Sequence, residues 1–251
     1  MLSMLDKFNQ LVIGPSGRAR SNRQRLLRRL MRPAWLGTLR RTTPLSNYWG
    51  YDRGTPIDRY YIERFLDECR GDIRGHVLEV KNSEYTQRFG TAIVRSDVLD
   101  IDPTNPQATI VVDLAAAADC IPADTFECVI LTQTLQYIYQ PRAAIAQVYR
   151  ILRPGGVLLM TVPGIIKMDP NFVGTDYRRF TVDSCAALTT EAFGAEAITI
   201  RTYGNVLSAI AFLTGLAHEE LSARELDTRD PAYQLVIAVR AVKPGEKGAR
   251  S

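Results

Sequence analysis

The sequence predicts an α/β fold built on a mostly parallel β-sheet with helices on both faces. Two observations point there. Seven short apolar runs recur after residue 75: HVLEV (76–80), SDVLDID (96–102), ATIVVD (108–113), ECVILT (127–132), GVLLMTVP (156–163), AITIRTY (197–203) and YQLVIAVRAV (233–242). Between several of them lie segments with helical spacing, notably PRAAIAQVYRIL (141–152) and DSCAALTTEAF (183–193). Strands that alternate with helices must run mostly parallel, because each crossover carries the chain back to the same end of the sheet. The last two runs have no helix of normal length between them, which places an antiparallel edge strand there. The intervening LSAIAFLTGLAHEELSARELDTRDP reads as helix and loop packing.

Residues 1–20 read as loosely ordered, with GPSGR as a break. Ser21 then offers an N-cap to RQRLLRRLMR, a helix with Leu26, Leu27, Leu30 and Met31 on one side and Arg23, Arg25, Arg28, Arg29 and Arg32 on the other. Pro33 ends it. The preferred reading docks the apolar stripe on the body and leaves the arginines in water. Peripheral membrane contact through residues 21–32 is a second, and an Arg-rich mitochondrial transit peptide a third. Residues 57–69, ending in Cys69, have helical spacing and lead to turns at Gly71 and Gly75.

A chain of 251 residues can bury one substantial core. With 46% hydrophobic and 23% charged residues, wholesale disorder is excluded. No apolar run reaches the roughly 18 residues a membrane span needs, and the first residues lack the pattern of a secretory signal. Cys69, Cys120, Cys128 and Cys185 are far apart, with no CxxC pair and no histidine cluster. Such spacing suits reduced thiols in a cytoplasmic protein and no metal site. The net charge of +4 is unevenly spread: residues 1–50 hold nine arginines and Lys7 against the single acid Asp6. The rest is mildly acidic, so residues 1–50 form a basic arm, attractive to phosphates, before an α/β domain at 51–251.

In an open parallel sheet, ligands sit beyond the carboxyl ends of the strands. Those ends carry Glu79, Asp102, Asp113 and the stretch TQT (132–134). A carboxylate after the second strand suits a ribose, since it accepts from both hydroxyls; Asp113 is placed for an adenine amino group, and the Leu114 N–H for a ring nitrogen. A lone acid of this kind most often caps the next helix or turn; three at successive ends favour a site.

The order VLEV, VLDID, VVDLAAAADCIPADTFECVILTQTLQYI and YRILRPGGVLLMTVPG resembles the class I S-adenosylmethionine-dependent methyltransferases, within a bacterial subgroup like methyltransferase type 11. The resemblance spans about residues 70–242. DTFECVILTQTLQYI followed by RILRPGGVLLMTVP is its most specific part, and DYRRFT (176–181) and WGYDRGTPIDRYYIERFL are similar to segments of related bacterial proteins. It implies a Rossmann-like, doubly wound sheet of seven strands, the last antiparallel, and S-adenosylmethionine as cofactor. Glu79, with Val80 and Lys81 after it, would help hold the methionine end. Asp102 would bind the ribose, with Asp97 or Asp100 as alternatives, and Asp113 and Leu114 the adenine. Thr132 and Gln133 would open beside the methyl group. The turn RPGG (153–156) would be structural. One departure stands out: the family's glycine-rich first turn has Lys81, Ser83 and Tyr85 here. Glycine permits positive φ and close approach of backbone to ligand. Lysine or tyrosine could adopt the turn at about 1 kcal/mol each.

Removing a proton from an alcohol acceptor calls for a base. His76 starts a strand at the end away from the site, His218 reads as a helix-surface residue, and Gln136 stands where relatives often have histidine. The catalytic candidates are therefore Asp176, Tyr137 and Arg53, beside Asp52, with Asp58, Arg59, Tyr60 and Tyr61 placed as a lid; each is equally explained by packing or a buried ion pair. The expected function is O-methylation of a small molecule or glycan, with a non-methylating scaffold, accessory subunit or repurposed catalyst as the alternative. A nucleic-acid methyltransferase is least favoured: the positive charge is confined to the arm, and no NPPY-type base-flipping motif or RNA-binding module is present.

Overall fold

The computed structural model describes Met31 and residues 37–245. The chain divides into two compact units, Met1–Thr42 and Thr43–Ser251. In the first, the described residues include a single 3-10 turn, Gly37–Leu39. The helix expected over 21–32, with its membrane and transit readings, lies outside the described residues apart from Met31, which is helical and exposed. The second unit begins before residue 51. The Leu45 and Ser46 N–H groups donate to the Thr214 carbonyl at 2.7 and 3.3 Å, and the buried Ser46 hydroxyl accepts from Tyr48 and Gly50. Residues 43–50 thus belong to the body.

Seven strands form one sheet: β1 (Gly75–Val80), β2 (Ile93–Asp100), β3 (Ile110–Val111), β4 (Phe126–Thr132), β5 (Leu152–Pro163), β6 (Ile198–Tyr203) and β7 (Val236–Val242). Their order is β3-β2-β1-β4-β5-β7-β6. The first five run parallel, and β7 is antiparallel to both its neighbours. The antiparallel strand is therefore interior rather than an edge. It is buried along most of its length, and its apolar residues need cover on two faces and partners on two sides.

The helices are α1 (Ile57–Glu68), α2 (Glu84–Phe89), α3 (Pro141–Ile151), α4 (Val182–Phe193), α5 (Val206–Thr214) and α6 (Ala223–Asp227). Local chemistry starts and stops them. Pro141 supplies a preset φ at the first helical position of α3. Thr181 with Ser184, and Asn205 with Ser208, form reciprocal caps on α4 and α5. Gly215 closes α5 in the left-handed conformation at φ 79°. Alternation along the central strands then splits the core in two. Val129 and Leu131 of β4 join Leu158 and Met160 of β5 beneath α3 and α4. Cys128 and Ile130 join Val157 and Leu159 beneath α1, α2 and α5. Period-two side-chain direction in a sheet covered on both faces produces this division.

Several strand ends differ from the sequence expectation; β3, for one, stops at Val111, two residues before Asp113. β2 stops at Asp100, not Asp102, because Asp102 N–H donates to the Asp100 carboxylate (3.1 Å) and its own carboxylate accepts from Thr104, closing a tight turn. Residues 153–156 (RPGG) form an irregular insert within β5: the register passes from Phe126↔Leu152 to Cys128↔Val157, with Gly155 at φ 80°. No described helix is long and apolar enough to cross a membrane.

Candidate active site

A cleft of about 1330 Å³ opens at the carboxyl ends of the parallel strands. Single-ligand pockets commonly hold about 300–1,000 Å³, so this one has room for a cofactor and an acceptor together. Glu79, Val80, Lys81, Asp102, Asp113, Leu114, Thr132, Gln133, Tyr137 and Asp176 all line it; Arg53 does not. Arg53 is exposed and paired with Glu220 on the 3-10 turn His218–Glu220.

The turn after β1 keeps a shape that its residues do not favour. Lys81 sits at φ 79°, in the left-handed region that glycine tolerates best. Its N–H donates to Leu99 O (2.8 Å), and its carbonyl accepts from Asn105 Nδ2 (2.7 Å). The same Asn105 amide donates to Asp100 (2.6 Å), so one side chain ties the β1 turn to the end of β2. Ser83, at φ −112°, precedes α2, and Tyr85 is buried within it. Only the first of the three glycine-poor positions therefore carries positive φ.

Glu79 is 2% exposed and faces the start of α2, accepting from the Tyr85 N–H (3.0 Å), the Thr86 N–H (2.8 Å) and the Thr86 hydroxyl (2.7 Å). Burial pushes its carboxyl up, and the Thr86 and Tyr85 donors partly offset that. At β2, Asp100 ends the strand at the cleft, whereas Asp102 lies two residues on and is held down by its bonds from Thr104. Asp97 is on the strand's far part, where its carboxylate meets His76 Nε2 (2.6 Å), Arg95 and the Thr109 hydroxyl. Asp113 lines the cleft and also caps the 3-10 turn Leu114–Asp119, accepting from Ala115 N–H at 2.9 Å.

On the β4 and β5 side the wall is aromatic with polar inserts. Tyr137 packs against Phe172 (ring centroids 4.5 Å apart), and Tyr139 meets Tyr177 edge-on. Lys167 Nζ lies 4.0 Å from the Trp49 ring centre. Asp176 is gripped by Arg179, whose Nη2 donates to Oδ2 at 2.8 Å, and this bond holds the carboxyl below its ordinary value. Burial pushes the Tyr137 hydroxyl up and the Lys167 ammonium down. His218 lines the cleft with its ring beside Tyr60.

Sequence reasoning named Gln133, Gln136 and Asp58 but not that their polar atoms are buried without partners, nor that Trp49 joins them. Asp58 Oδ1, Trp49 Nε1, Gln136 Oε1 and both polar atoms of Gln133 are buried without a hydrogen bond among the described residues. All four residues line this cleft. Gln133 and Trp49 are also at positive φ, 46° and 55°. Buried polar groups are nearly always paired in folded proteins, and strained backbone collects at ligand sites. No residue-type pattern announces an unpaired atom; it appears only once neighbours are in place.

Residues 72–160 match the family described as "Methyltransferase domain". Strand order, the cleft at the strand ends and this match agree. The matched segment runs from just before β1 into β5 and so takes in the parallel part of the sheet. A solved SAM-dependent methyltransferase from Archaeoglobus fulgidus shares the fold. It superposes with a TM-score of 0.51 at 11% identity, over 79% of this chain and 100% of that one. The chain is also similar to the [4+2]-cyclase SpnF (17% identity, TM-score 0.49, 73% and 81% covered). N-methyltransferase NodS from Bradyrhizobium japonicum WM9 is a further similar structure (15% identity, TM-score 0.46, 76% and 98% covered). No curated protein matches the chain in sequence.

Proposed function

We infer that the protein transfers a methyl group from S-adenosylmethionine to a hydroxyl of a small-molecule or glycan acceptor. The observation that carries this reading is the set of unpaired buried polar atoms on Asp58, Trp49, Gln133 and Gln136, all on one cleft at the strand ends. A polar ligand would complete them. The residues fit the cofactor: Asp100 would accept from the ribose hydroxyls, and Asp113 and the Leu114 N–H would meet the adenine. Glu79 would hold the turn at Lys81 and Tyr85 in shape from beneath. In this reading Asp100 takes the place expected of Asp102, because Asp100 is the acid that ends β2 at the cleft.

When bound, S-adenosylmethionine supplies a carbon activated by a sulfonium leaving group. The chain's own task is to align the acceptor and remove its proton. Trp49, Tyr137 and Phe172 give the acceptor side flat apolar faces with polar edges, which suit a sugar or an aromatic ring. Asp176, kept ionised by Arg179, is the proton acceptor, and Tyr137, kept protonated by burial, orients the hydroxyl. Arg53, paired with Glu220 outside the cleft, has no role in this scheme.

Calorimetry with S-adenosylhomocysteine tests the reading. Micromolar binding is expected, weakened by about 10-fold or more in Asp100→Ala. Asp102→Ala should change it by only about two-fold. Absence of binding at millimolar ligand would sink the proposal. The lysine and tyrosine at the family's glycine positions favour a second reading, cofactor binding without methylation. Cofactor turnover across a panel of hydroxylated acceptors separates the two.

A further inference from the structure

A glycine-rich turn serves a ligand by bringing bare backbone N–H groups close to it. In this chain two such groups, of Tyr85 and Thr86, are already taken by Glu79. Tyr85 also fills space, with 8% of its surface exposed and its hydroxyl accepting from Arg59 Nη1 at 3.3 Å. A charged ligand end lying over β1 must therefore find its partners elsewhere.

They stand on α1, which packs against α2 through the Arg59–Tyr85 contact and the Arg88–Glu63 ion pair. Asp58 is 7% exposed, lines the cleft, and has Oδ1 buried without a partner. Burial pushes its carboxyl up, the cost of an anion held out of water. Next to it, Arg59 lines the same cleft, and its guanidinium donates only to the hydroxyls of Tyr51 (3.1 Å) and Tyr85. Among the described residues neither side chain forms an ion pair. The two attract each other, yet no direct bond joins them and Asp58 Oδ1 stays unpaired among the described residues, an arrangement that suits a ligand with both signs of charge. An α-amino acid is the compact group that offers an ammonium and a carboxylate together.

Resting on the methyltransferase reading, the geometry points to Asp58 and Arg59 as the receptor for the amino-acid end of S-adenosylmethionine. Asp58 takes the ammonium and Arg59 the carboxylate. The recognition that glycine backbone would otherwise supply has moved to side chains of a facing helix, and with it the ability to reject nucleosides that lack the amino acid.

The test compares binding of S-adenosylhomocysteine with that of 5′-methylthioadenosine, which keeps the nucleoside and loses the amino acid. Wild-type protein should prefer the former by about 100-fold or more, two charge-assisted contacts at about 10-fold or more each. Asp58→Asn and Arg59→Gln should each shrink that preference about 10-fold, with methylthioadenosine affinity unchanged. A preference that survives both substitutions overturns the proposal while leaving the methyltransferase reading intact. If neither ligand binds wild-type protein, the methyltransferase reading falls first and takes this one with it. Should a variant lose methylthioadenosine too, its fold is damaged and wild-type protein decides. S-adenosylhomocysteine analogues lacking only the amino or only the carboxyl group must then each bind about 10-fold more weakly than S-adenosylhomocysteine, and equal affinities overturn the assignment.

Discussion

Replacing Lys81 by glycine isolates the cost of the turn after β1. Lys81 is at φ 79°, where an L-residue with a Cβ is disfavoured by about 1–2 kcal/mol relative to the right-handed region. Glycine removes that strain but gives the unfolded chain more freedom, a penalty of about 0.4–1 kcal/mol. The two bonds through the Lys81 backbone, to Leu99 and Asn105, survive the change. The net expectation is a gain of about 0.5–1 kcal/mol, strain relief exceeding the entropy loss. For a domain of this size that raises Tm by about 1–4 °C. Lys81→Ala serves as control: it removes the charge and keeps the strained backbone, so it should bring no gain. The assay is thermal unfolding by circular dichroism of the three proteins under one buffer condition. A glycine variant that melts below wild type would refute the reasoning, because the left-handed conformation would then carry no strain for glycine to relieve.

Other perturbations follow from the same geometry. Burial alone would raise the Asp97 carboxyl, but bonds from His76, Thr109 and Arg95 outweigh it and hold it low. Its folded value is depressed, so its contribution is complete above the ordinary carboxylate range near about pH 4 and disappears as pH falls through the folded value. The Tm gap between wild type and Asp97→Asn should accordingly narrow on acidification, and a gap independent of pH argues against the ion pair. Gly164→Ala would place a Cβ 1.9 Å from the Gln234 carbonyl oxygen, so denaturant titration should show a loss of about 1–3 kcal/mol. Gly174→Ala, with open space around it but φ at 88°, should lose only about 1 kcal/mol; a larger loss there than at Gly164 would reverse the argument.

The sheet was largely legible because strand burial writes itself as apolar runs. All seven runs contain strands, and the helices at Pro141–Ile151 and Val182–Phe193 lie where spacing puts them. Strand ends were harder. Both Asp100 and Asp102 are acids in a hydrophilic stretch, and only the turn closed by Asp102 and Thr104 decides which of them stops the strand. The partners of β7 were not legible either, since pairing across β5 and β6 is a long-range choice that local pattern does not encode. At the site, residue type marked Glu79 and Asp113 as facing the cleft, but not that both also accept backbone N–H groups of the following turns. The resemblance marked Lys81 as a glycine position with positive φ, but not that Ser83 and Tyr85 would escape that conformation. Arg53 shares a short segment with Tyr51 and Thr55, which reach the cleft, and only the position of Glu220 draws it away.

The interior place of β7 has a consequence for synthesis. Residues 236–242 pair with β5 on one side and β6 on the other, so while they are still inside the ribosome, two strands made earlier have unsatisfied edges. Open edges of this kind invite pairing between nascent chains. The sheet cannot close from its beginning onward; it is completed in one late step, when a single segment fills the gap and joins β6 to the other five strands.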